Sequence, residues 1–347
     1  FALNRHLSYI YPMEKVPDFQ KTLFEQIRER LPTDASFVHE IAELLSISYD
    51  SAYRRIRGEK ALDIQDLYIL ADSYSLSIDT LFRRHGNKIV FDYFTLEPDK
   101  LGLKEWLGLI LSDTKKISQA SEKQIIYAAK DPPVFHNFLI PELAAFKIFF
   151  WQKTLCHFPE FKDKKLRLDD ADMEIIDMGR QLLSVSNKIP TIEIWNEDTF
   201  NITLRQIEYY KVSGYFEKED DILNLCDKLE KWVNHIRKQA EYGYKFLYGE
   251  PAEGIENTFS MYENEVVLND NTILVKSDAS TTVYLTFNTL SLLITQSPAF
   301  CKNVDNYFNK LITKSHLISV SGAKERNRFF NKLLHIIEEF KKRMEQQ

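Results

Sequence analysis

The chain has 347 residues, of which 44% are hydrophobic, 28% are charged and 13% are aromatic. These fractions are normal for a globular protein, and the length suggests two or three domains. The net charge of -6 excludes a protein that simply coats nucleic acid, because such a protein would be basic. It does not exclude a modular regulator, whose DNA-binding surface can be one small patch on an acidic body.

Glycine and proline are scarce, with 10 and 11 residues, which argues against a loop-dominated all-β fold and favours helices. No run of about 18 apolar residues occurs, so we expect no membrane span, and no signal peptide is evident. Residues 1–12 precede Met13, where the sequence MEKVPDF resembles a natural start, and we assign these residues no function.

The three cysteines lie far apart in the chain, at Cys156, Cys226 and Cys301. An odd and sparse set is not a disulfide framework, so we expect free thiols in a reducing cytoplasm. The sequence contains no CxxC or HExxH motif and no clustered His and Cys spacing. We therefore expect neither a metal site nor a cofactor.

Three regions follow one another along the chain. Residues 15–86 are predicted to form a series of short amphipathic helices with tight turns. Residues 90–250 are predicted to be almost wholly helical, since apolar residues recur at helical spacing in segments such as LKEWLGLILSDTKKI and PELAAFKIFFWQKTL. The second of these segments opens with Pro141 in the first turn, and Gly214 is predicted to close a later helix.

The third region, 255–347, is richer in Thr, Val, Ile, Tyr and Phe and is interrupted by Asn and Asp clusters. The sequence Asn269-Asp270-Asn271 between EVVL and TILV indicates a hairpin. Three or four antiparallel strands are predicted, followed by helices near 300–315 and 322–346. The predicted fold class is therefore mainly α, with a helical N-terminal domain, a helical middle region and a small α+β C-terminal module.

The segment from Phe37 to Phe82 is the most informative about function. A helix that contains Ile41 and Ala42 is predicted to run into a turn, and a second helix begins after Ser48, which is a good N-cap. Ala52 and Ile56 lie one helical turn apart and would bury this second helix against the first. Three further features complete the motif: Leu45 on the first helix, the turn at Ser46-Ile47, and Gly58, which would end the second helix in a left-handed conformation.

This segment resembles the lambda-repressor/Cro (XRE-type) family of helix-turn-helix regulators over about residues 19–82. The positions that match without a gap are Ala42, Ile47-Ser48, Arg57-Gly58, Asp63, Leu67, Ala71 and Leu81-Phe82. Three positions depart from the family pattern: Ser46 replaces a glycine, Leu62 replaces a proline, and Arg55 stands where an apolar residue is common. The third departure bears on how the second helix is rotated, and so on which side chains reach bases.

The resemblance implies a five-helix DNA-binding domain whose second motif helix, residues 49–57, lies in the major groove of double-stranded DNA. It implies that Tyr49, Asp50 and Arg54 read base edges, with Arg54 suited to guanine and Asp50 to a cytosine amino group. The residues placed for phosphates are Ser48, Ser51, Tyr53, Arg57 and Lys60.

Charge gives mixed support to this interpretation. Residues 1–85 contain 11 Lys or Arg against 13 Asp or Glu. Four of the basic residues fall between Arg54 and Lys60, where only Glu59 opposes them. Screening hides charges beyond about 8–10 Å, so the local concentration counts more than the total. A helix-turn-helix fold that does not bind DNA remains the alternative.

Other candidates for chemistry favour structural roles. His136, His157 and His235 lie in partly apolar stretches predicted to be helical, and the pairs Glu193/Glu197 and Asp220/Asp221 are predicted to be helix starts or solvated faces. The segment SVSGAKER (319–326) lacks the full phosphate-loop spacing, so we expect it to cap a helix. The aromatic run 135–158 is predicted to be core. No catalytic motif is found, and we expect no enzymatic activity.

The sequence thus predicts a cytoplasmic, sequence-specific regulator that forms a homodimer, with its C-terminal region used for dimerisation, effector sensing or both. An unidentified small-molecule effector or protein partner is left open. Two alternatives also stand. The first is a protein-interaction scaffold whose helix-turn-helix domain, residues 15–86, does not bind DNA. The second is an enzyme or ligand-binding protein with its site in 90–347.

Overall fold

A computed structural model describes residues 19–31, 36–74, 76, 78, 89–96, 101–266, 268, 270–278 and 280–346. The chain divides into two compact units between Val90 and Phe91, and each is described by itself. The described residues combine helices with one mixed sheet, so the molecule is helix-rich but not all-α.

The helices of the described residues are α1 (Phe19–Arg30), α2 (Phe37–Leu44), α3 (Tyr49–Ile56), α4 (Ile64–Ser73), α5 (Leu103–Gln119), α6 (Pro141–Phe150), α7 (Met173–Ser186), α8 (Asp198–Val212), α9 (Asp220–Tyr242), α10 (Pro298–Thr313) and α11 (Ala323–Gln346). The strands are β1 (Asp92–Phe94), β2 (Lys123–Ala129), β3 (Thr191–Trp195), β4 (Phe259–Glu263), β5 (Thr272–Ser277), β6 (Thr281–Phe287), β7 (Ser291–Thr295) and β8 (His316–Leu317). Short 3-10 or π turns occupy Val134–Phe138, Trp151–Leu155 and Pro159–Phe161.

Helices α1 to α4 of the first unit pack around a small apolar core. Leu23 and Ile27 from α1, Ile41 from α2, Ala52 from α3 and Leu70 from α4 are all fully buried in it. Each helix therefore contributes its apolar stripe to one shared interior. The fifth helix implied by the resemblance, with Leu81-Phe82, lies outside the described residues.

The second unit is built on a sheet of eight strands in the order β1-β7-β6-β5-β2-β3-β4-β8. The three strands β2, β3 and β4 are mutually parallel, and every other pairing is antiparallel. Alternate residues of the strands point to opposite faces of the sheet. One face, with Ile126, Ile194 and Leu274, packs on α10, while the other face, with Trp195 and Phe259, joins the large core formed by the remaining helices.

The prediction of a helical middle region, 90–250, separate from a C-terminal module, 255–347, differs from the structure. The middle region contains β1, β2 and β3, and β3 pairs in parallel with β4, so both regions share one sheet. The cause lies in the residue pattern of the central strands. β2 is covered on both faces, and its residues Ile125 to Ala129 form a short continuous apolar run that resembles a buried helix in sequence. β3 is only five residues long and contains Glu193, which favoured a solvated position.

The predicted hairpin around Asn269-Asp270-Asn271 is also wrong. Strand β4 ends at Glu263, and β5 pairs with β2 and β6, so none of the described residues of EVVL forms a strand against TILV. Residue 269 of the predicted turn lies outside the described residues. The hairpin that does form pairs β5 with β6. The two C-terminal helices occur as predicted, as α10 and α11.

Several helix boundaries agree with the local sequence signals. Pro141 begins α6 in the first-turn position. Gly214 follows α8 with φ +66°, and Gly243 ends α9 with φ +71°, the left-handed conformation in which glycine carries no steric penalty. The three cysteines are free thiols, with Cys226 and Cys301 buried and Cys156 half-buried.

Candidate nucleic-acid interface

The turn between α2 and α3 is compact and is fixed by backbone hydrogen bonds. The N–H of Ile47 donates to the carbonyl of Ala42 at 3.0 Å. Ser46 has φ +52°, so the serine that replaces the family's glycine adopts a left-handed conformation that costs strain. Ser48 is the N-cap of α3, as predicted, and its Oγ accepts a hydrogen bond from the N–H of Ser51 at 3.3 Å.

The inner face of α3 is anchored by one small residue and one buried ion pair. Ala52 is fully buried, and Ile56 is half-buried against the same core. Arg55 is buried as well, and its Nε lies 2.8 Å from Oδ2 of Asp66 on α4. Its Nη1 also donates to Oγ of Ser51 at 2.7 Å. The position that departs from the family pattern is thus an arginine with a dedicated acidic partner.

The outer face of α3 carries the side chains for which base reading is predicted. Tyr49 is 58% exposed and Tyr53 is 43% exposed, and Asp50 and Arg54 are exposed beside them. Tyr49, Asp50 and Arg54 make no side-chain hydrogen bond or ion pair with another described residue. The structure therefore places all three on one accessible surface, at the start and middle of the helix.

The predicted phosphate-contacting residues have different surroundings. Arg57 lies over the ring of Tyr53, 5.5 Å from its centroid, and its Nε is 3.2 Å from Oε1 of Glu59. Ser51 is half-buried, and its hydroxyl already accepts from Arg55. Ser48 and Lys60 are exposed at the two ends of the helix. Gly58, with φ +76°, turns the chain after α3 as predicted.

A clamp from α1, which the sequence did not reveal, holds the end of α3. The side-chain amide of Gln20 donates to the carbonyls of Arg55 at 2.5 Å and Lys60 at 2.7 Å, and its Oε1 accepts from the N–H of Leu62 at 3.0 Å. These bonds span the turn that follows α3. No sequence signal identifies this glutamine, because its partners are backbone groups more than thirty residues away.

Helix α4 begins as predicted and also exposes two large apolar side chains. Asp63 is its N-cap, with Oδ1 accepting from the N–H of Asp66 at 2.7 Å. Ile64 is 84% exposed and Tyr68 is 66% exposed, one helical turn further on. These two residues form an apolar pair on the surface of the first unit.

The second unit contains a cavity of about 400 Å³ between one face of the sheet and α5. Its walls are mostly apolar, with Trp106, Trp151 and Tyr284 among them. Polar side chains also line it, among them Asp131, Lys147, Gln206 and Asn271, together with the exposed pair Asp113 and Lys116. The volume lies at the lower end of the range of roughly 300–1,000 Å³ typical of small-molecule pockets. Among the described residues that line it there is no histidine or cysteine.

His136 and His235 are buried, whereas His157 is exposed and lies outside the helices with φ +53°, so the prediction that it is helical is wrong. His136 is buried, with Nε2 2.9 Å from Oε1 of Glu193, and the indole N–H of Trp195 donates to Oε2 of the same carboxylate at 2.8 Å. Glu193 thus lies inside strand β3, and the prediction of a helix start or solvated face for it is wrong. Burial lowers the pKa of His235 to about 4, and its Nε2 lies 2.9 Å from the carbonyl oxygen of Phe246.

The segment 319–326 has a structural role. The hydroxyl of Ser319 accepts from the N–H of Met261 on β4, and the buried guanidinium of Arg326 donates to the carbonyls of Ile318 and Val320. A side chain at Gly322 would collide with the carbonyl oxygen of Leu317. The loop therefore binds its own neighbours at the start of α11.

The described residues contain neither a metal-binding cluster nor a membrane-spanning helix. No group of three or more His, Cys, Asp or Glu side chains is arranged to hold a metal ion. None of the helices there is both long and apolar enough to cross a bilayer. Comparison of the chain with models of protein families, with curated proteins and with solved structures finds no match in any of the three.

Proposed function

We propose that the chain is a cytoplasmic, sequence-specific transcriptional regulator whose N-terminal unit is a lambda-repressor-like helix-turn-helix domain that binds double-stranded DNA. The observation that carries this proposal is the two-sided character of α3. Ala52 and Arg55 fix its inner face, while Tyr49 and Arg54 stand exposed and unpaired, among the described residues, on its outer face. A helix held in this way can enter a major groove without rearranging the domain.

The proposed contacts follow from side-chain chemistry. Arg54 presents a planar fork that fits the O6 and N7 acceptors of guanine, and Asp50 can accept from a cytosine amino group. Tyr49 is placed to contact a thymine methyl group or a neighbouring base edge. Phosphate contacts are proposed for Ser48, Ser51, Tyr53, Arg57 and Lys60, with Ser51 the most constrained because its hydroxyl already binds Arg55.

A single N-terminal unit covers too little DNA for high specificity, so we propose a homodimer. Two α3 helices would then read half-sites about 34 Å apart, which is one turn of the duplex. The acidic total charge means that attraction to phosphate is local, and binding should weaken steeply as salt increases.

The decisive variant is Arg54→Ala. We expect a loss of about 1–3 kcal/mol in binding to a selected fragment, together with relaxed preference at one base position. The measurement is fluorescence anisotropy with genomic fragments at 50 and 150 mM salt. Lys115→Ala is the matched control, because it removes the same charge from the exposed surface of α5 in the other unit.

Two results would overturn the proposal: no duplex binding by the native protein at the lower salt, or equal effects of Arg54→Ala and Lys115→Ala. The first result would favour the scaffold alternative, for which the exposed Ile64 and Tyr68 on α4 offer a protein-binding surface. The enzyme alternative has less support. The described residues that line the cavity include no cysteine nucleophile and no histidine that could activate a hydroxyl nucleophile.

A further inference from the structure

The cavity in the second unit is built for an amphipathic occupant. One wall is the sheet, which contributes Ile125, Ile273 and Val275, and the opposite wall is α5. Exposed residues of α5, Leu109 and Ser112 among them, border the opening. Apolar surface on both walls favours a hydrocarbon or aromatic body over a polar one.

A lysine with spare donors lines the same cavity. Lys147 is buried, and its Nζ donates to Oε1 of Gln206 at 2.7 Å. An ammonium group has three N–H donors, so this bond leaves donors without a partner among the described residues. Burial lowers the pKa of Lys147 to about 8, with the nearby charge of Asp131 opposing the shift. At neutral pH the group is therefore still charged and still needs acceptors.

A carboxyl group with a spare acceptor also lines the cavity. Oδ1 of Asp131 is buried and has no hydrogen-bond partner among the described residues. The backbone N–H of Asp131 donates to Oδ1 of Asn271 at 3.0 Å, which fixes the segment in place. Burial raises the pKa of Asp131, and the charge of Lys147 works against that increase. Asp131 and Lys147 do not form an ion pair with each other or with any other described residue.

Charge balance selects the head group of the occupant. Lys116 and Asp113 also line the cavity, but they are exposed and already pair with each other at 3.3 Å. The charges of Lys147 and Asp131 cancel, so an ionic head would leave one unpaired charge in a largely apolar space. We propose that the cavity binds a small amphipathic molecule whose apolar body lies between the sheet and α5, and whose uncharged amide head accepts from Lys147 and donates to Asp131. The proposal concerns binding alone and does not depend on the DNA-binding proposal.

The test is a calorimetric titration of the full chain, without DNA, against three probes of equal chain length: octanamide, octanoate and octylamine. Octanamide should bind about tenfold or more tightly than either ionic probe, because each ionic head leaves one buried group unsatisfied. Tighter binding of octanoate or octylamine, equal binding of all three, or no saturable binding would each overturn the proposal.

Two variants locate the site. Lys147→Met keeps the apolar stem and should weaken octanamide binding by about tenfold, whereas Lys115→Met, on an exposed surface that does not line the cavity, should leave it unchanged. Ile202→Trp adds volume inside the cavity and should weaken all binding without replacing either of the polar groups proposed to bind the head. Unaltered octanamide affinity in both cavity variants would place the ligand elsewhere and refute the site. The preferences of the native protein decide the head group even if a variant fails to fold.

Discussion

At the scale of single residues, local chemistry predicted the ends of the motif helices, while the buried ion pair was not predictable. Ser48, Gly58 and Asp63 were identified correctly because a cap or a left-handed turn depends on its immediate neighbours. Arg55 was recognised only as a departure from the family pattern. Its burial depends on Asp66, which lies on another helix, and a sequence pattern does not show such a pairing.

The buried pair gives a stability prediction. Asp66→Ala should lower the free energy of unfolding of the N-terminal unit by about 3–5 kcal/mol, because it leaves the Arg55 guanidinium buried without its counter-ion. Urea unfolding followed by far-ultraviolet circular dichroism measures the change. Asp72→Ala is the control, since Asp72 is exposed on the same helix.

A second variant separates loss of the pair from loss of packing. The double replacement Arg55→Met with Asp66→Leu should recover most of the lost stability, because an apolar pair of similar volume avoids the cost of burying charge. If Asp66→Ala and Asp72→Ala destabilise the unit equally, the 2.8 Å contact does not carry the energy assigned to it.

At the scale of elements, helices of the predicted length and position were recovered wherever their apolar residues follow a helical period. Helices α5 and α11 show this. Strand β2 was missed because its apolar run is short and covered on both faces, and β3 because it is only five residues long and contains the buried Glu193. Pairing between distant strands follows from tertiary packing, and for that reason the hairpin was assigned to the wrong turn.

The attachment of α1 to the end of α3 gives a prediction at this scale. Gln20→Ala removes one acceptor and two donor contacts, so the carbonyl of Lys60 and the N–H of Leu62 lose their partner, while the carbonyl of Arg55 keeps only the N–H of Gly58. The N-terminal unit should lose about 1–3 kcal/mol of stability, and the amide of Leu62 should exchange hydrogen faster.

Gln26→Ala is the matched control for this variant, because Gln26 is a half-buried glutamine on the same helix and takes no part in the clamp. Hydrogen exchange read by nuclear magnetic resonance distinguishes the two. Equal protection of the Leu62 amide in both variants would show that the side chain of Gln20 does not hold the turn.

At the scale of the whole molecule, the sequence indicated a helical N-terminal domain that ends near residue 86, followed by a larger remainder of the chain. The structure divides the chain between Val90 and Phe91. The further division of the second unit near residue 250 was not found. Strand β4 lies beside β3, and buried residues of α11 such as Phe330 share a core with Trp232 of α9. Two segments that looked different in composition are thus parts of one interior.

This shared interior predicts the behaviour of fragments. Residues 91–347 alone should unfold in one cooperative transition, whereas residues 255–347 alone should show none, because β4 then lacks β3 and α11 lacks α9. Thermal unfolding followed by near-ultraviolet circular dichroism tests both fragments. A sharp transition in the shorter fragment would contradict the single sheet.

The order of the strands has a consequence for how the protein is made. Strand β1 pairs with β7, Asp92 lying opposite Ile294, so an early segment must wait for most of the chain to leave the ribosome before it finds its neighbour. The N-terminal unit needs no such delay, since the helices that form its core lie close together in sequence. During translation a finished N-terminal unit would therefore precede an unfinished second unit whose apolar strands are still exposed, which makes chaperone binding to the emerging chain the safest route to the native molecule.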